Sequence, residues 1–220
     1  MRDVRIRNRS GVDPIPVTSG QPVWSEPMEL VLIRHARPIR IEDAGGPADP
    51  ALTDFGHRQA KAMAELMVTE HFDALYVSPM QRARQTSAPL ESGKGIEAVV
   101  VPGVAEFDAD ADHYIPMEEV KADKEMWRQF LDDHQANDMS GFAATVNESI
   151  EDLIAAHRGD RIAVVCHGGV INVWAAKVLG LEASMFFEPD YTSVNRFVAA
   201  SSGERSIQSL NETGHLRGLA

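Results

Sequence analysis

Two histidines in the chain directly follow apolar runs and are placed to carry chemistry. Arg34 and His35 come immediately after residues 30–33, and His167 follows residues 162–166. Apolar runs of this length are typical of buried strands, and ligands of open α/β sheets bind at the carboxyl ends of the strands. A neutral imidazole can act as a nucleophile, and an arginine beside it can bind an anion. These residues therefore indicate a histidine-based phosphoryl-transfer site.

The elements that would position these residues alternate along the chain. Strands are predicted at residues 29–34, 74–77, 96–101, 161–166, 194–200 and 205–210,. Helices are predicted after Thr53, a typical N-cap, and at residues 81–91, 118–133, 142–157 and 170–179, the last closed by Gly180,. Alternating strands and helices indicate a mostly parallel sheet covered on both faces. The predicted fold class is therefore α/β, a three-layer α/β/α sandwich.

The length and the N-terminal composition predict the domain organisation. A chain of 220 residues suits one α/β domain,. Residues 1–27 are polar, contain four prolines and lack periodicity, so they predict a flexible N-terminal extension. The domain itself is expected at residues 28–220.

The charge balance restricts the possible partners. The chain has 21 lysine and arginine residues against 33 aspartate and glutamate residues, a formal net charge of −12. We therefore expect neither a nucleic-acid nor a membrane partner, because both present negative charge. No apolar run approaches the roughly 20 residues of a membrane span. The single cysteine, Cys166, excludes an intramolecular disulfide and predicts a cytoplasmic protein,.

Four motifs follow one another in an order that resembles a known family. They are Arg34-His35-Ala36, the Leu-Thr-x-x-Gly-x-x-Gln-Ala stretch within residues 49–60, the Ser-Pro-x-x-Arg-Ala stretch within residues 77–86, and Cys-His-Gly-Gly at residues 166–169. A weaker match closes the chain at residues 210–216. Together they resemble the histidine phosphatase superfamily, whose fold is phosphoglycerate-mutase-like, over roughly residues 29–216.

This resemblance implies roles for the residues at the strand ends. His35 would attack phosphorus and form a phosphohistidine, while Arg34, Arg82 and His167 would surround the phosphoryl oxygens. Fixed cations suit this task because negative charge spreads over three oxygens during the transfer. The backbone N–H of Gly168, at the start of a predicted helix, would add an anion-binding donor.

The resemblance also implies a general acid after the third predicted strand. Glu106 occupies that position, with Asp108 as the alternative. Burial and the phosphate charge would raise the pKa of this carboxyl, so that it is protonated when the substrate binds. Arg84 is a rival to Arg82 for binding phosphate, but the register of its motif favours Arg82.

Substrate specificity is expected from the loops at residues 37–52 and 103–118. Arg37, Arg40 and Tyr114 are the predicted substrate-facing residues of these loops. Arg37 would contact a second anionic group of the substrate or be solvated. The partner is expected to be a small phosphorylated substrate or a phosphoprotein.

Departures from the family pattern leave alternatives open. Ala36 replaces the glycine that usually follows the nucleophile, and Ile41 stands where mutase members carry asparagine. The short 90–102 segment favours a phosphomonoesterase over the first alternative, a cofactor-dependent phosphoglycerate mutase. The second alternative is an inactive module that binds phosphate or phosphoproteins.

Other kinds of site fit the sequence less well. Cys166 would need an arginine six residues later to form a cysteine-phosphatase loop, but Asn172 stands there. Residues 108–119 have the acidic spacing of a calcium loop, but His113 replaces its glycine,. The chain also lacks a Gly-x4-Gly-Lys-Ser/Thr loop, so nucleotide-driven phosphoryl transfer would lack its phosphate cradle. No metal and no cofactor are expected. Several histidines are expected at the surface or in packing: His57, His71, His113, His134, His157 and His215.

Overall fold

The computed structural model describes residues 26–136 and 138–219, which form a sheet with helices on both faces. The strands are β1 (Met28–Arg34), β2 (Ala74–Val77), β3 (Val99–Val100), β4 (Arg161–Cys166), β5 (Val194–Ala199) and β6 (Arg205–Glu212). The helices are α1 (Asp54–Met67), α2 (Gln81–Lys94), α3 (Met117–Ala122), α4 (Lys124–Ala136), α5 (Ser140–Ala156) and α6 (Gly168–Leu179). Of the predicted extension, residues 1–25 lie outside the described part of the chain.

The sheet has the strand order β3-β2-β4-β1-β5-β6. The first four strands pair in parallel, whereas β5 pairs antiparallel with β1 and with β6. In the central pair, Arg34 of β1 lies opposite Cys166 of β4. His35 and His167 therefore leave the sheet side by side, which the carboxyl-end rule predicts.

Alternation along β1 divides the core between the two faces of the sheet. Leu30 and Leu32 pack in one apolar cluster with residues of α5 and α6, including Trp174. Val31 and Ile33 face the other way and pack with residues of α1 and α2. The period of two along a strand thus produces three layers, and the predicted α/β/α sandwich is confirmed.

The start of α1 holds the loop that follows His35. As predicted, Thr53 caps the helix, because its hydroxyl oxygen accepts a hydrogen bond from Gly56 N at 2.9 Å. The same hydroxyl donates to the carbonyl of Arg37 at 3.1 Å. Gly56 has no side chain where that carbonyl approaches, since a Cβ there would overlap it. The Leu-Thr-x-x-Gly motif therefore fixes the backbone just beyond His35.

Two predicted elements differ from the structure. The strand predicted at residues 96–101 is only Val99–Val100, because the N–H groups of Ile96 and Ala98 bond instead to Glu91 at the end of α2. The helix predicted at residues 118–133 is broken at Asp123, whose backbone is extended. The Asp123 carboxylate accepts from the N–H groups of two following residues and thereby starts α4 as a new helix,.

Candidate active site

The structure brings His35 and His167 together at the carboxyl edge of the sheet. Their ring centroids are 5.1 Å apart, and both residues are buried. Since the β1–β4 register fixes both backbones, the pair is set by the central sheet rather than by mobile loops. His35 N also donates to the carbonyl of Cys166 at 2.9 Å, which ties the two strand ends together.

The hydrogen bond of His35 defines which ring nitrogen can react. Nδ1 lies 2.8 Å from the carbonyl oxygen of Ala36. A carbonyl only accepts, so Nδ1 carries the proton and Nε2 keeps its lone pair. Burial, followed by the charges of Arg82 and Arg34, holds the pKa of His35 well below its ordinary value. The residue is therefore a neutral imidazole with a nucleophilic Nε2.

His167 is oriented by Ser78, a residue that the sequence reasoning missed. The Ser78 hydroxyl lies 2.7 Å from Nε2 of His167 and also accepts a hydrogen bond from Met80 N. This arrangement lets Ser78 donate to Nε2, which places the ring proton of His167 on Nδ1. Nδ1 is buried and has no hydrogen-bond partner within residues 26–136 and 138–219. It is a donor available to an anion.

The two arginines add further buried donors around the histidines. Arg34 donates through Nη1 to the carbonyl of Pro189, and Arg82 donates through Nη2 to Asp108 at 3.1 Å. Nε of Arg34 and both Nε and Nη1 of Arg82 are buried and have no partner in the described residues. With Nδ1 of His167, four unpaired N–H donors thus lie near the nucleophile. Such groups are costly to bury unless a ligand accepts their hydrogen bonds.

Two tyrosines cover these arginines. The Arg34 guanidinium lies 4.3 Å from the ring centre of Tyr191, and that of Arg82 lies 4.9 Å from the ring centre of Tyr114. The Tyr191 ring is also 5.8 Å from the ring of His35. Tyr114 was predicted to face the substrate, whereas Tyr191 was missed. Its only sequence signal is a position just before β5, whose antiparallel pairing with β1 brings it to the site.

Glu106 lies beside the start of α6, the helix that directly follows His167. Its Oε2 accepts from Gly169 N at 2.9 Å, and its Oε1 accepts from Phe107 N at 3.1 Å. Burial, assisted by the neighbouring charge of Asp108, nevertheless raises the pKa of Glu106 from 4.5 to about 7. Asp108 itself is paired with Arg82. Of the two predicted candidates, Glu106 thus has the environment of a proton donor at neutral pH.

The neighbouring predicted residues take defined positions. Gly168 begins α6, and a Cβ there would be 3.7 Å from Nε of Arg34, so its backbone lies against the Arg34 guanidinium. Arg37 pairs with Glu118 at 2.7 Å, and Arg40 pairs with the carboxylates of Glu42 and Glu119. Arg84 is exposed on α2, as expected.

Ala36 is accommodated without strain. Its methyl group is buried in a small cluster with Leu52 and Ala60, and its N–H donates to the Thr86 hydroxyl at 2.9 Å. The non-glycine residues with positive φ in the described chain are Thr192 and Asn211, so Ala36 does not need the conformation that favours glycine,. The alanine therefore leaves the backbone beside His35 unstrained.

The side chains of other residues singled out by the sequence have partners or surroundings of their own. The Cys166 thiol is in the core, and burial raises its pKa. His215 lies 2.9 Å from the Thr192 hydroxyl, and His157 lies between Tyr76 and Asp160. Within the described residues, no group of three or more His, Cys, Asp or Glu side chains is arranged to hold a metal ion. None of the described helices is both long and apolar enough to cross a membrane.

Comparison with known proteins identifies relatives over most of the chain. Phosphoserine phosphatase 1 of Hydrogenobacter thermophilus is 26% identical over 199 residues, covering 86% of this chain and 94% of the relative. A probable phosphoglycerate mutase of Erwinia tasmaniensis is 24% identical over 169 residues, covering 71% of this chain and 77% of that relative. The crystal structure of phosphoserine phosphatase from Entamoeba histolytica matches with a TM-score of 0.68 at 24% identity, covering 86% of this chain and 99% of that one. The structure of mycobacterial glucosyl-3-phosphoglycerate phosphatase also matches with a TM-score of 0.68, at 19% identity, covering 86% of this chain and 100% of that one.

The match to a family model assigns this chain to a family. The model of the histidine phosphatase superfamily (branch 1) matches residues 30–213. The predicted family, fold class and phosphatase class of enzyme are thereby confirmed. This chain belongs to the histidine phosphatase superfamily.

Proposed function

We propose that the protein is a phosphomonoesterase that acts through a phosphohistidine on His35. The observation that carries the proposal is the free Nε2 of a buried neutral imidazole among four buried N–H donors that find no partner in the described part of the chain. A phosphate dianion would satisfy these donors and place its phosphorus beside the nucleophile. Arg34, Arg82 and His167 would then stabilise the charge that spreads over the phosphoryl oxygens.

Two steps complete the reaction with the residues in place. In the first, Nε2 of His35 bonds to phosphorus while the phosphorus–oxygen ester bond breaks, and Glu106 gives its proton to the leaving alkoxide. In the second, water attacks the phosphohistidine while the Glu106 carboxylate takes a proton from that water. Inorganic phosphate leaves, and both side chains return to their starting protonation states.

The substrate is proposed to be a small phosphorylated compound. Relatives named as phosphatases of phosphoserine and of glucosyl-3-phosphoglycerate support this class, although another relative is named a probable phosphoglycerate mutase. Hydrolysis is favoured here because Ile41 cannot help hold a phosphate as an asparagine does. The acidic surface and the single buried Cys166 support the prediction of a cytoplasmic protein without nucleic-acid partners.

Substitution of the nucleophile tests the proposal. We expect His35→Ala to abolish phosphate release from an aryl phosphate, while His57→Ala, at an exposed histidine of α1, retains it. Intact-mass measurement after brief exposure to substrate should show one added phosphoryl group in the wild type and none in His35→Ala. Undiminished turnover by His35→Ala would refute the mechanism. Interconversion of phosphoglycerates without phosphate release would identify a mutase, and a wild type that is never phosphorylated would indicate a binding module.

A further inference from the structure

Glu118, at the start of α3, connects Arg37 to the groups around His35. Its Oε2 accepts a hydrogen bond from the Tyr191 hydroxyl at 3.1 Å, and its Oε1 lies 2.7 Å from Nε of Arg37. The Tyr191 ring in turn contacts the Arg34 guanidinium and lies 5.8 Å from the ring of His35. Glu118 is therefore one side chain away from the proposed phosphate-binding groups, and its negative charge lies against one edge of the Arg37 guanidinium.

Arg40, in the same loop as Arg37, is also paired with carboxylates. Arg40 lies 2.9 Å from Glu42 and 2.8 Å from Glu119. Arg37 and Arg40 together face three carboxylates, so the formal charge of these five side chains is −1. Because like charges repel, a second carboxylate or phosphate on a substrate would meet a net negative charge beside these arginines.

We propose that Glu118 determines substrate specificity by neutralising Arg37. It restricts the enzyme to phosphate monoesters whose alcohol portion is neutral or positively charged, and it selects against a second anionic group. This inference rests on the phosphomonoesterase function proposed above and adds the substrate class. It also gives Arg37 a role other than direct binding of a second anion.

The test uses two substrates that differ in a single group. Glycerol 3-phosphate and 3-phosphoglycerate share their carbon skeleton, but the second carries a carboxylate in place of a hydroxymethyl group. We expect the wild type to have the higher kcat/KM for glycerol 3-phosphate. Glu118→Gln should shift the ratio of the two kcat/KM values toward 3-phosphoglycerate by roughly tenfold or more, the effect of one charge-assisted hydrogen bond.

The glutamine variant is chosen because it removes only the charge. Its amide oxygen can still accept from the Tyr191 hydroxyl, and its amide nitrogen then faces Arg37 and releases that guanidinium. Glu65→Gln is the matched control, since it makes the same charge change on an exposed face of α1. The double variant Glu118→Gln/Arg37→Met removes the released cation, so it should return the ratio toward that of the wild type.

The outcomes separate this inference from the proposed function. If both esters are hydrolysed and Glu118→Gln leaves the ratio unchanged, or Glu65→Gln shifts it equally, the specificity role is refuted while the phosphatase stands. A double variant that keeps the full shift would refute the part assigned to Arg37. If neither ester, nor an aryl phosphate, yields phosphate or phosphohistidine in the wild type, the proposed function itself fails.

Discussion

Replacing Glu106 with glutamine should remove the proton donor and leave the phosphate-binding groups in place. At its pKa of about 7, half of Glu106 is protonated at neutral pH. A carboxyl with the ordinary pKa of 4.5 would be protonated in only about one molecule in 300, because each pKa unit is a factor of ten,. Burial, reinforced by Asp108, therefore increases the acid form by a factor of the order of 100.

The expected loss depends on the leaving group. For an alkyl phosphate, whose alkoxide needs a proton, Glu106→Gln should lower kcat by about 10²- to 10⁴-fold. For p-nitrophenyl phosphate, whose leaving phenolate is stable at neutral pH, the loss in the first step should be much smaller. Burst kinetics with the aryl ester separate this step from hydrolysis of the phosphohistidine, which also uses Glu106. Glu97→Gln, at an exposed position, is the control and should match the wild type.

The pH profile gives the sign of the effect. The active form of Glu106 is protonated, so kcat/KM for the alkyl ester should fall as the pH rises through about 7. Asp108→Asn removes the second-largest cause of the raised pKa, so it should move this limb to lower pH. Equal losses for both esters in the first step, or an alkaline limb that survives in Glu106→Gln, would show that Glu106 is not the acid.

Two further substitutions test residues that position Glu106 and His167. Gly169→Ala should fold normally, because alanine favours a helix, but its Cβ would overlap Oε1 of Glu106, so kcat for an alkyl ester should fall about 100-fold,. Gly168→Ala is the matched control, because its Cβ would be 3.7 Å from Nε of Arg34, an ordinary contact, and its kcat should stay within a few-fold of the wild type. Equal activity of the two alanine variants would contradict the placement of Glu106. Ser78→Ala should lower kcat about tenfold, and ¹⁵N NMR should show that His167 no longer prefers the Nδ1–H tautomer. Ser78→Thr keeps the hydroxyl and should restore the activity and the tautomer. An unchanged tautomer in Ser78→Ala would contradict the positioning role of Ser78.

The central part of the site could be predicted because it depends on the regular sheet. An apolar run predicts a buried strand, and the parallel pairing of β1 with β4 places the residue after each strand at the same edge. His35 and His167 therefore follow from local pattern and topology alone. The N-cap at Thr53 is equally local, since it requires only the side chain and the next turn of helix.

The rest of the site depends on contacts between distant segments. Tyr191 reaches His35 because β5 runs antiparallel to β1, and its spacing in the sequence carries no sign of that pairing. The pairing of Arg37 with Glu118 joins a loop to the first turn of α3 about 80 residues later, so neither side chain reveals its partner locally,. The break at Asp123 had a local signal, an aspartate with N-cap preference, but the helical pattern around it concealed that signal,.

One physical cause sets the protonation of both the nucleophile and the acid. Burial disfavours the charged form of each group, so it lowers the pKa of His35 below 6.5 and raises that of Glu106 to about 7,. With ordinary pKa values, His35 would be neutral only above pH 6.5 and Glu106 would be protonated only below pH 4.5. There would then be no pH at which most molecules hold a neutral His35 together with a protonated Glu106. The shifts open a range below about pH 7 in which a neutral imidazole and a protonated carboxyl coexist,. Arg34 and Arg82 strengthen the effect on His35, whereas the charge of Asp108 strengthens it on Glu106. The arginines proposed to bind phosphate, and the Asp108 carboxylate beside Arg82, thus also set the protonation of the proposed nucleophile and acid.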